Sequence, residues 1–390
     1  MAEAYIVAAK RTAGGRKGGR LAGWHPADLA AQILEGLIKD VDADPALVED
    51  VIMGCVGQAG EQSVNIARNA ILASSLPESV PGTSVDRQCG SSQQAIHFAA
   101  QAVMSGAMDV VIASGVESMT RVPMGTPAIL ALKAGMGSYM SPNIQERYPN
   151  IQFSQFAGAE MIAKKYGLTK DQLDEFGYNS HRKAIEATKA GKFANEIVPI
   201  KIKTAEGVEE EHTVDEGIRF EASLEAMRGV KLLQEDGALT AATSSQICDG
   251  ASGVLVVNEK GLKQLGVEPL ARIHHMTVIG ADPVIMLEAP IPATLRALEK
   301  SGLKIGDIDA FEVNEAFASV PVAWLQATGA DPDRLNVNGG AISLGHPLGG
   351  SGSKLMATLL NVLIDRKGKY GLQTMCEGGG LANVTLIERL

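Results

Sequence analysis

Aromatic side chains are scarce: two Trp, six Tyr and eight Phe among 390 residues. A chain so poor in them offers no stacking platform for single-stranded nucleic acid. Positive charge is short as well. Thirty-five Lys and Arg face 45 Asp and Glu, for a net charge of −10, which disfavours nonspecific binding to nucleic acid or an anionic membrane surface. A small polyanionic ligand stays possible where Arg and Lys cluster locally. No apolar run approaches the roughly 18 residues of a membrane span. The opening MAEAYIVAAKRTAGG has no basic stretch followed by a long apolar core, so no secretory signal is expected. The closing TLIERL reads as a strand, not a peroxisomal tripeptide, and cytoplasm is the expected location. Cysteine is limited to Cys55, Cys89, Cys248 and Cys376, with no CxxC pair and no Cys/His zinc spacing. No metal site and no structural disulfide are expected.

What the chain does have is glycine, 43 residues of it, within an ordinary globular balance of 45% hydrophobic and 21% charged residues. The length points to two or three domains, or one large α/β body with an insertion. The two ends share an order of elements. VEDVIMGCVGQAGE (48–61) resembles IDAFEVNEAFASVP (308–321): an acidic turn, a short apolar strand and a break, each after an amphipathic helix, LAAQILEGLIKD or TLRALEKSG. TSVDRQCGSSQQAIHFAAQAVMSG matches LNVNGGAISLGHPLGGSGSKLMATLLNVL as strand, small-residue turn and helix. MDVVIASGVESM matches KYGLQTMCEGGGLANVTLIERL. Two similar α/β halves follow, with small-residue helices packed between sheet layers. The expected division is 1–120, rejoined by 249–270, then an inserted loop domain at 121–248, then 271–390.

Four stretches carry chemistry. Cys89 stands where a strand gives way to a helix, a place whose free N–H groups and dipole favour a thiolate; the plain alternative is a buried Cys beside a turn. His346 precedes Pro347 on a narrow glycine-rich turn, GHPLGGSGSK, which is not a Walker A pattern; a lone His is often structural. Cys376 ends a strand before an acid and three glycines, whose backbone N–H groups suit an oxyanion hole. Asn314 ends the strand before EAFA. The repeat puts Cys89 and His346 in equivalent places, and strand ends in α/β folds converge on one crevice.

DRQCGSS, VNEAFA, NGGAISLGHPLGGSG and CEGGG resemble, in order and spacing, the four signatures of the thiolase family, and the resemblance runs from IVAAKRTAGGRKGG to IERL. It implies a thiolase fold: duplicated βαβαβαββ halves in a five-layer α-β-α-β-α stack with an inserted loop domain. It implies a homodimer or homotetramer, acyl-CoA and coenzyme A as substrates, and no permanently bound cofactor. Cys89 matches the acylated nucleophile, His346 its base and Cys376 the second acid/base. His346 with Asn314, the latter through a water, matches one oxyanion site; the backbone N–H groups of Cys89 and Gly378 match the other. Ser245 matches a pantetheine-contacting serine, and Arg219 an arginine near adenine, unless it is simply a solvated loop charge. Ala316 and Phe317 match residues lining the pantetheine tunnel, and Met286 a methionine of the acyl pocket. Cys55, Cys248, His97, His181, His274 and His275 match no functional position.

The departures concern substrate choice. Gln155, Phe156 and Ala157 stand where short-chain biosynthetic acetoacetyl-CoA thiolases carry His-Met-Gly. Leu287 and Glu288 stand where small residues are common, and Glu288 is a candidate to face a polar acyl chain. CGSSQQA replaces the more usual CGSGLKA. All are expected to touch the acyl pocket and its mouth. They resemble degradative thiolases that take bulky or branched acyl groups, including those of sterol breakdown. The alternative is a biosynthetic acetoacetyl-CoA thiolase. A ketoacyl synthase would carry a third His or an Asn in place of Cys376, and a non-catalytic acyl-CoA binder would not keep Cys89, His346 and Cys376 together.

Overall fold

The computed structural model describes residues 2–204 and 206–390. The first half runs β1 (Tyr5–Arg11), β2 (Gly15–Arg16), α1 (Pro26–Asp40), β3 (Asp50–Gly54), α2 (Ile66–Leu72), β4 (Gly82–Val85), α3 (Ser91–Met104) and β5 (Val110–Ser118). A long excursion follows: α4 (Thr126–Lys133), α5 (Pro142–Arg147), α6 (Gln155–Lys165), α7 (Lys170–Lys189), the hairpin β6 (Ile200–Lys203) and β7 (Glu209–His212), and α8 (Leu224–Arg228). The chain then returns through β8 (Cys248–Val257) and α9 (Glu259–Leu265). The last part runs β9 (Ala271–Gly280), α10 (Pro290–Ser301), β10 (Ala310–Val313), α11 (Ser319–Thr328), α12 (Ala341–Leu344), α13 (Ser351–Arg366), β11 (Tyr370–Glu377) and β12 (Leu381–Arg389).

The repeat is visible in strand order. The first half orders its strands β4-β3-β5-β8-β1, and the second orders them β10-β11-β12-β9. In each, parallel pairing gives way to antiparallel pairing at the same step, β5–β8 and β11–β12. The counterpart of β4 is reduced to one parallel bridge, Phe311 with Leu335. The half-sheets meet where Tyr5 and Ile6 of β1 pair with Arg272 and Ala271 of β9, so hydrogen bonding runs on through both.

Burial explains the layers. All nine residues of β5 and all ten of β8 are buried, as expected of strands covered on both faces. On one side α1 and α2 seal a core with Leu34, Leu37, Ile71 and Leu255. Outside the second half, α10 and α11 close another with Ala297, Trp324 and Leu386. Between the half-sheets lie α3 and α13, which pack on each other and on strands of both halves. Their small residues permit this. A Cβ on Gly352 would overlap the backbone N of Gln93, so the two helices touch backbone to backbone there. Five layers result, with both strand-to-helix turns of interest opening onto the central helices.

The excursion is tied down by a buried ion cluster. Arg11 of β1, fully buried, pairs with Glu196 at 2.6 Å and Asp215 at 2.9 Å. Lys354 of α13 reaches Asp215 at 3.5 Å and donates to the Leu344 carbonyl. Removing one partner from such a group strands the others without water.

Candidate active site

Cys89 sits on a turn four residues after β4. Gln88 holds a left-handed φ of 49°, and Ser91 fixes the bend: its Oγ accepts from Arg87 N at 2.9 Å and donates to Gln88 O at 2.6 Å. Gly90 then caps α3. Cys89 is partly exposed, whereas Cys55, Cys248 and Cys376 are buried. Its thiol is not activated at rest. Burial, with Glu377 as the next cause, pushes its pKa up to about 12. The helix N-terminus was expected to favour the thiolate; desolvation and neighbouring acids outweigh it.

The His346 loop belongs to the second half but is seated on the first. A Cβ on Gly349 would lie 2.6 Å from Cys55 Cα and 2.8 Å from both Gly54 O and Val116 O. Gly349 N donates to Glu117 at 2.9 Å, and Ser353 N donates to Ser92 Oγ at 3.0 Å. A Cβ on Gly54 would overlap Ser92 N and lie 2.7 Å from Gly349 O. Three backbones therefore close on one point, which brings the start of α3 against the His346 loop.

The imidazole has a definite tautomer. Nδ1 lies 2.5 Å from Ser351 Oγ, and that hydroxyl gives its proton to Pro347 O at 2.8 Å. Ser351 therefore accepts from Nδ1–H, leaving a lone pair on Nε2. Asn314 Nδ2 approaches that nitrogen directly, at 3.4 Å. Burial, reinforced by Lys354, lowers the pKa of His346 to about 3, so the ring is neutral at neutral pH.

Cys376 and Gly378 arrive from the end of β11. Gly379 and Gly380 take left-handed φ values of 82° and 77°, which turn the chain tightly into β12. A Cβ on Gly378 would lie 2.8 Å from Gln88 Oε1, and one on Gly90 would overlap Glu377 Oε1. The Cys89 turn and the 376–380 turn therefore abut along two residues each. Cys376 is fully buried; burial, then Cys89 and Glu377, hold its thiol well above the usual range.

The remaining expected residues fall into two groups. Ser245 N donates to Ala316 O at 2.9 Å, and Ser244 bridges Phe317. The next residue, Gln246, accepts from His346 N at 3.1 Å, so Ser245, Ala316 and Phe317 flank the imidazole loop. Phe317 meets Phe156 of α6 edge to face at 5.3 Å. Met286, at φ 55°, lies behind the same helix, 3.5 Å from where a Cβ on Gly158 would be. Arg219 stands apart. It is exposed, its backbone N–H donates to His181 Nδ1 at 3.3 Å, and its guanidinium makes no hydrogen bond or ion pair among the described residues.

Two expectations about substrate choice need correcting. Ser92, Gln93 and Gln94 are buried. Gln93 Nε2 donates to Thr385 Oγ1 at 2.8 Å, and Gln94 Oε1 accepts from Asn383 at 3.2 Å. These side chains stitch α3 to β12 of the other half, and His97 joins them through Thr385 at 2.8 Å. Glu288 is likewise engaged, pairing with Lys165 at 2.7 Å and accepting from Tyr166 OH at 2.7 Å. Sequence reasoning gave no role to Glu117 or Ser351, and noted Glu377 only as the acid between Cys376 and the glycines. The one available signal for Glu117 was an acid ending an otherwise apolar strand.

Fold and site together define an acyltransferase on a duplicated α/β body. Family models agree: the thiolase N-terminal domain matches residues 4–260, and the thiolase C-terminal domain matches residues 267–389. The chain belongs to the thiolase family. It is 52% identical to the steroid 3-ketoacyl-CoA thiolase FadA6 of Mycobacterium tuberculosis, over all of this chain and 95% of that one. It is 41% identical to the 3-ketoacyl-CoA thiolase of Idiomarina loihiensis, over the full length of both. The crystal structure of the Bacillus anthracis acetyl-CoA acetyltransferase superposes with a TM-score of 0.91 at 34% identity, covering 100% of this chain and 99% of that one.

Proposed function

We propose that this chain is a degradative 3-ketoacyl-CoA thiolase in which Cys89 is the acylated nucleophile, His346 its base and Cys376 the second acid/base. The observation that carries the reading is the meeting of two thiol-bearing turns with an imidazole whose unprotonated Nε2 is met by Asn314 Nδ2 at a long 3.4 Å. His346 Nε2 takes the Cys89 proton as the thiolate attacks the 3-keto carbon. The C2–C3 bond breaks, and Cys376 gives its proton to C2 of the departing acetyl-CoA. Coenzyme A then loses its thiol proton to Cys376, and its sulfur attacks the acyl carbonyl. Cys89 leaves as thiolate and regains its proton from His346. Thiols suit both steps because sulfur is a good nucleophile and leaving group toward thioesters. Because the resting thiol and imidazole are both neutral, proton transfer depends on hydrogen bonds to the developing oxyanions. His346 Nε2, once protonated, would bind one oxyanion together with Asn314, and the N–H groups of Cys89 and Gly378 the other.

Ser245, Ala316 and Phe317 would line the pantetheine channel, Arg219 would lie at its adenine end, and Met286 would border the acyl pocket. Phe156 edge to face on Phe317, with Met124 Sδ 3.7 Å from Gln155 Nε2 at the start of the same helix, supports bulky or branched acyl groups, and so does the likeness to a steroid 3-ketoacyl-CoA thiolase. The acetyl-CoA acetyltransferase likeness favours a second reading, acetoacetyl-CoA synthesis. The domain division at 121–248 and 271–390 belongs to the same proposal, as does assembly with copies of this chain. The free edge of β4 and the exposed Ile129, Leu130, Leu132 and Met136 support a homodimer or homotetramer. A cytoplasmic location belongs to the same proposal; no helix among the described residues is long and apolar enough to cross a membrane. Thiolysis rates across 3-ketoacyl-CoAs of graded length and branching test the reading. Rising kcat/KM with bulk is expected; activity confined to acetoacetyl-CoA would transfer it to the second reading. Cys89→Ala should lose at least about a thousandfold in thiolysis and all covalent acylation.

A further inference from the structure

Glu377 has no part in that chemistry, yet it lies in the middle of it. Successive residues of a strand face opposite sides. Cys376 faces the outer core of the second half, so Glu377 faces the central layer. There its carboxyl meets the residue after Cys89: a Cβ on Gly90 would overlap Oε1 and lie 2.5 Å from Cδ and 3.1 Å from Cγ. The side chain is fully buried, and neither oxygen has a hydrogen-bond partner among the described residues. Buried carboxylates are normally paired or well hydrogen-bonded, so an orphan of this kind at a site is a candidate for function.

We propose that Glu377 is a positioning residue that holds the Cys89 turn as a neutral acid and, by its charge state, governs how readily Cys89 ionises. Its surroundings define the sign. Burial raises its pKa to about 8, against the opposing pull of Arg87 in the same turn and of the Asn383 backbone N–H of β12, which lies near the carboxyl without closing a hydrogen bond. Cys376 shares its strand, and His97 on α3, its pKa lowered to about 3 by burial, is neutral. Asp86 and Glu117 add like charge at Cys89. As a neutral acid, Glu377 leaves the Cys89 thiolate unopposed. Once ionised, it sets two negative charges side by side, which disfavours the thiolate.

This deepens the proposed function and rests on Cys89 being the reacting thiol. The test is alkylation of Cys89 by iodoacetamide without substrate, mapped by peptide mass, from pH 6 to 11. Cys89 titrates near the top of this range and beyond it, at about 12, so the rising limb carries the result. At pH 6–7, where Glu377 is neutral, parent and Glu377→Gln should react alike. Above about pH 9 the variant should react about tenfold faster, as for a midpoint about one pH unit lower. Glu377→Met should behave likewise if the Gln variant folds poorly. Profiles that superimpose in both variants would overturn the proposal, since a merely structural glutamate leaves them unmoved. Infrared titration of the unmodified protein supplies a second reading: a protonated-carboxyl band at pH 7 that Glu377→Gln lacks is expected, and its absence in the parent refutes the neutral acid. Alkylation reports on Glu377 even if Cys89→Ala should retain thiolysis, so the two failures are distinguishable.

Discussion

Two buried glutamates end equivalent strands in the two halves, and they are wired in opposite ways. Glu117, near the end of β5, accepts from Val56 N, Gly57 N and Gly349 N at 2.9 Å each and from Gln62 Nε2 at 2.8 Å. Glu377, ending β11, accepts no hydrogen bond from any of the described residues. Counting from the paired strand ends, Gly54–Gly115 in one half and Val313–Thr374 in the other, Glu117 stands where the second half has Cys376. One half therefore uses its strand end to anchor, with four donors converging on one carboxylate. The other uses the same end to present a thiol and an unsatisfied acid. A duplicated fold supplies two similar crevices, and hydrogen bonding decides which one holds and which one reacts.

The comparison can be broken most severely at Glu117. Glu117→Ala orphans three buried or half-buried backbone donors and takes from Gln62 Nε2 one of its two bonds, the other running to Gly57 O at 2.9 Å. At about 1 kcal/mol or more per orphan the loss is on the order of 3–4 kcal/mol. Because Gly349 is one of them, the His346 loop loses its tether. Urea unfolding should show the loss of stability, and thiolysis by the folded fraction should drop at least tenfold. Unchanged thiolysis would mean that the loop holds its place without Glu117. Gly90→Ala acts next, from the other side. Its new Cβ meets a carboxyl that has nowhere to go, an overpacking cost of about 1–3 kcal/mol. Glu377→Ala removes the obstacle, so the double variant should recover most of that loss in a double-mutant cycle. Additive losses would show that Gly90 answers to backbone geometry and not to Glu377.

What could be read in advance follows the range of each interaction. Strand ends, the Cys89 turn and the glycine run after Cys376 are local features, set by alternation, small residues and left-handed glycines, and they stand where the sequence places them. The repeat was legible in element order. Its irregularities were not: the second half keeps only Leu335 of its edge strand and inserts α12 before His346. His346 therefore lies on a longer loop than Cys89, not on a matching turn. Nor does local pattern reveal a partner distant in sequence. Gly349 is 232 residues from Glu117, and no periodicity connects them. The join of β1 to β9 rests on two residue pairs, too few to leave a signature. The resting charge state of Cys89 escaped for a different reason: a helix N-terminus is visible in sequence, but the desolvation that opposes it exists only once the layers close.

Gln93 and Gln94 make the smallest prediction and separate two meanings of the same deviation. Had they shaped the acyl pocket, replacing them would alter the ranking of substrates. Their amides instead reach Thr385, the Gln373 carbonyl and Asn383 across the seam between α3 and the second half. Gln94→Leu leaves the Asn383 amide one acceptor short, and His97 Nδ1 at 3.3 Å is positioned to take part of that load. The expected loss is therefore about 1 kcal/mol, read as a modest fall in the urea midpoint. The ratio of kcat/KM between a long and a short 3-ketoacyl-CoA should stay within twofold. A larger change in that ratio, at unchanged stability, would return these residues to the pocket and imply that the seam transmits substrate shape to α3.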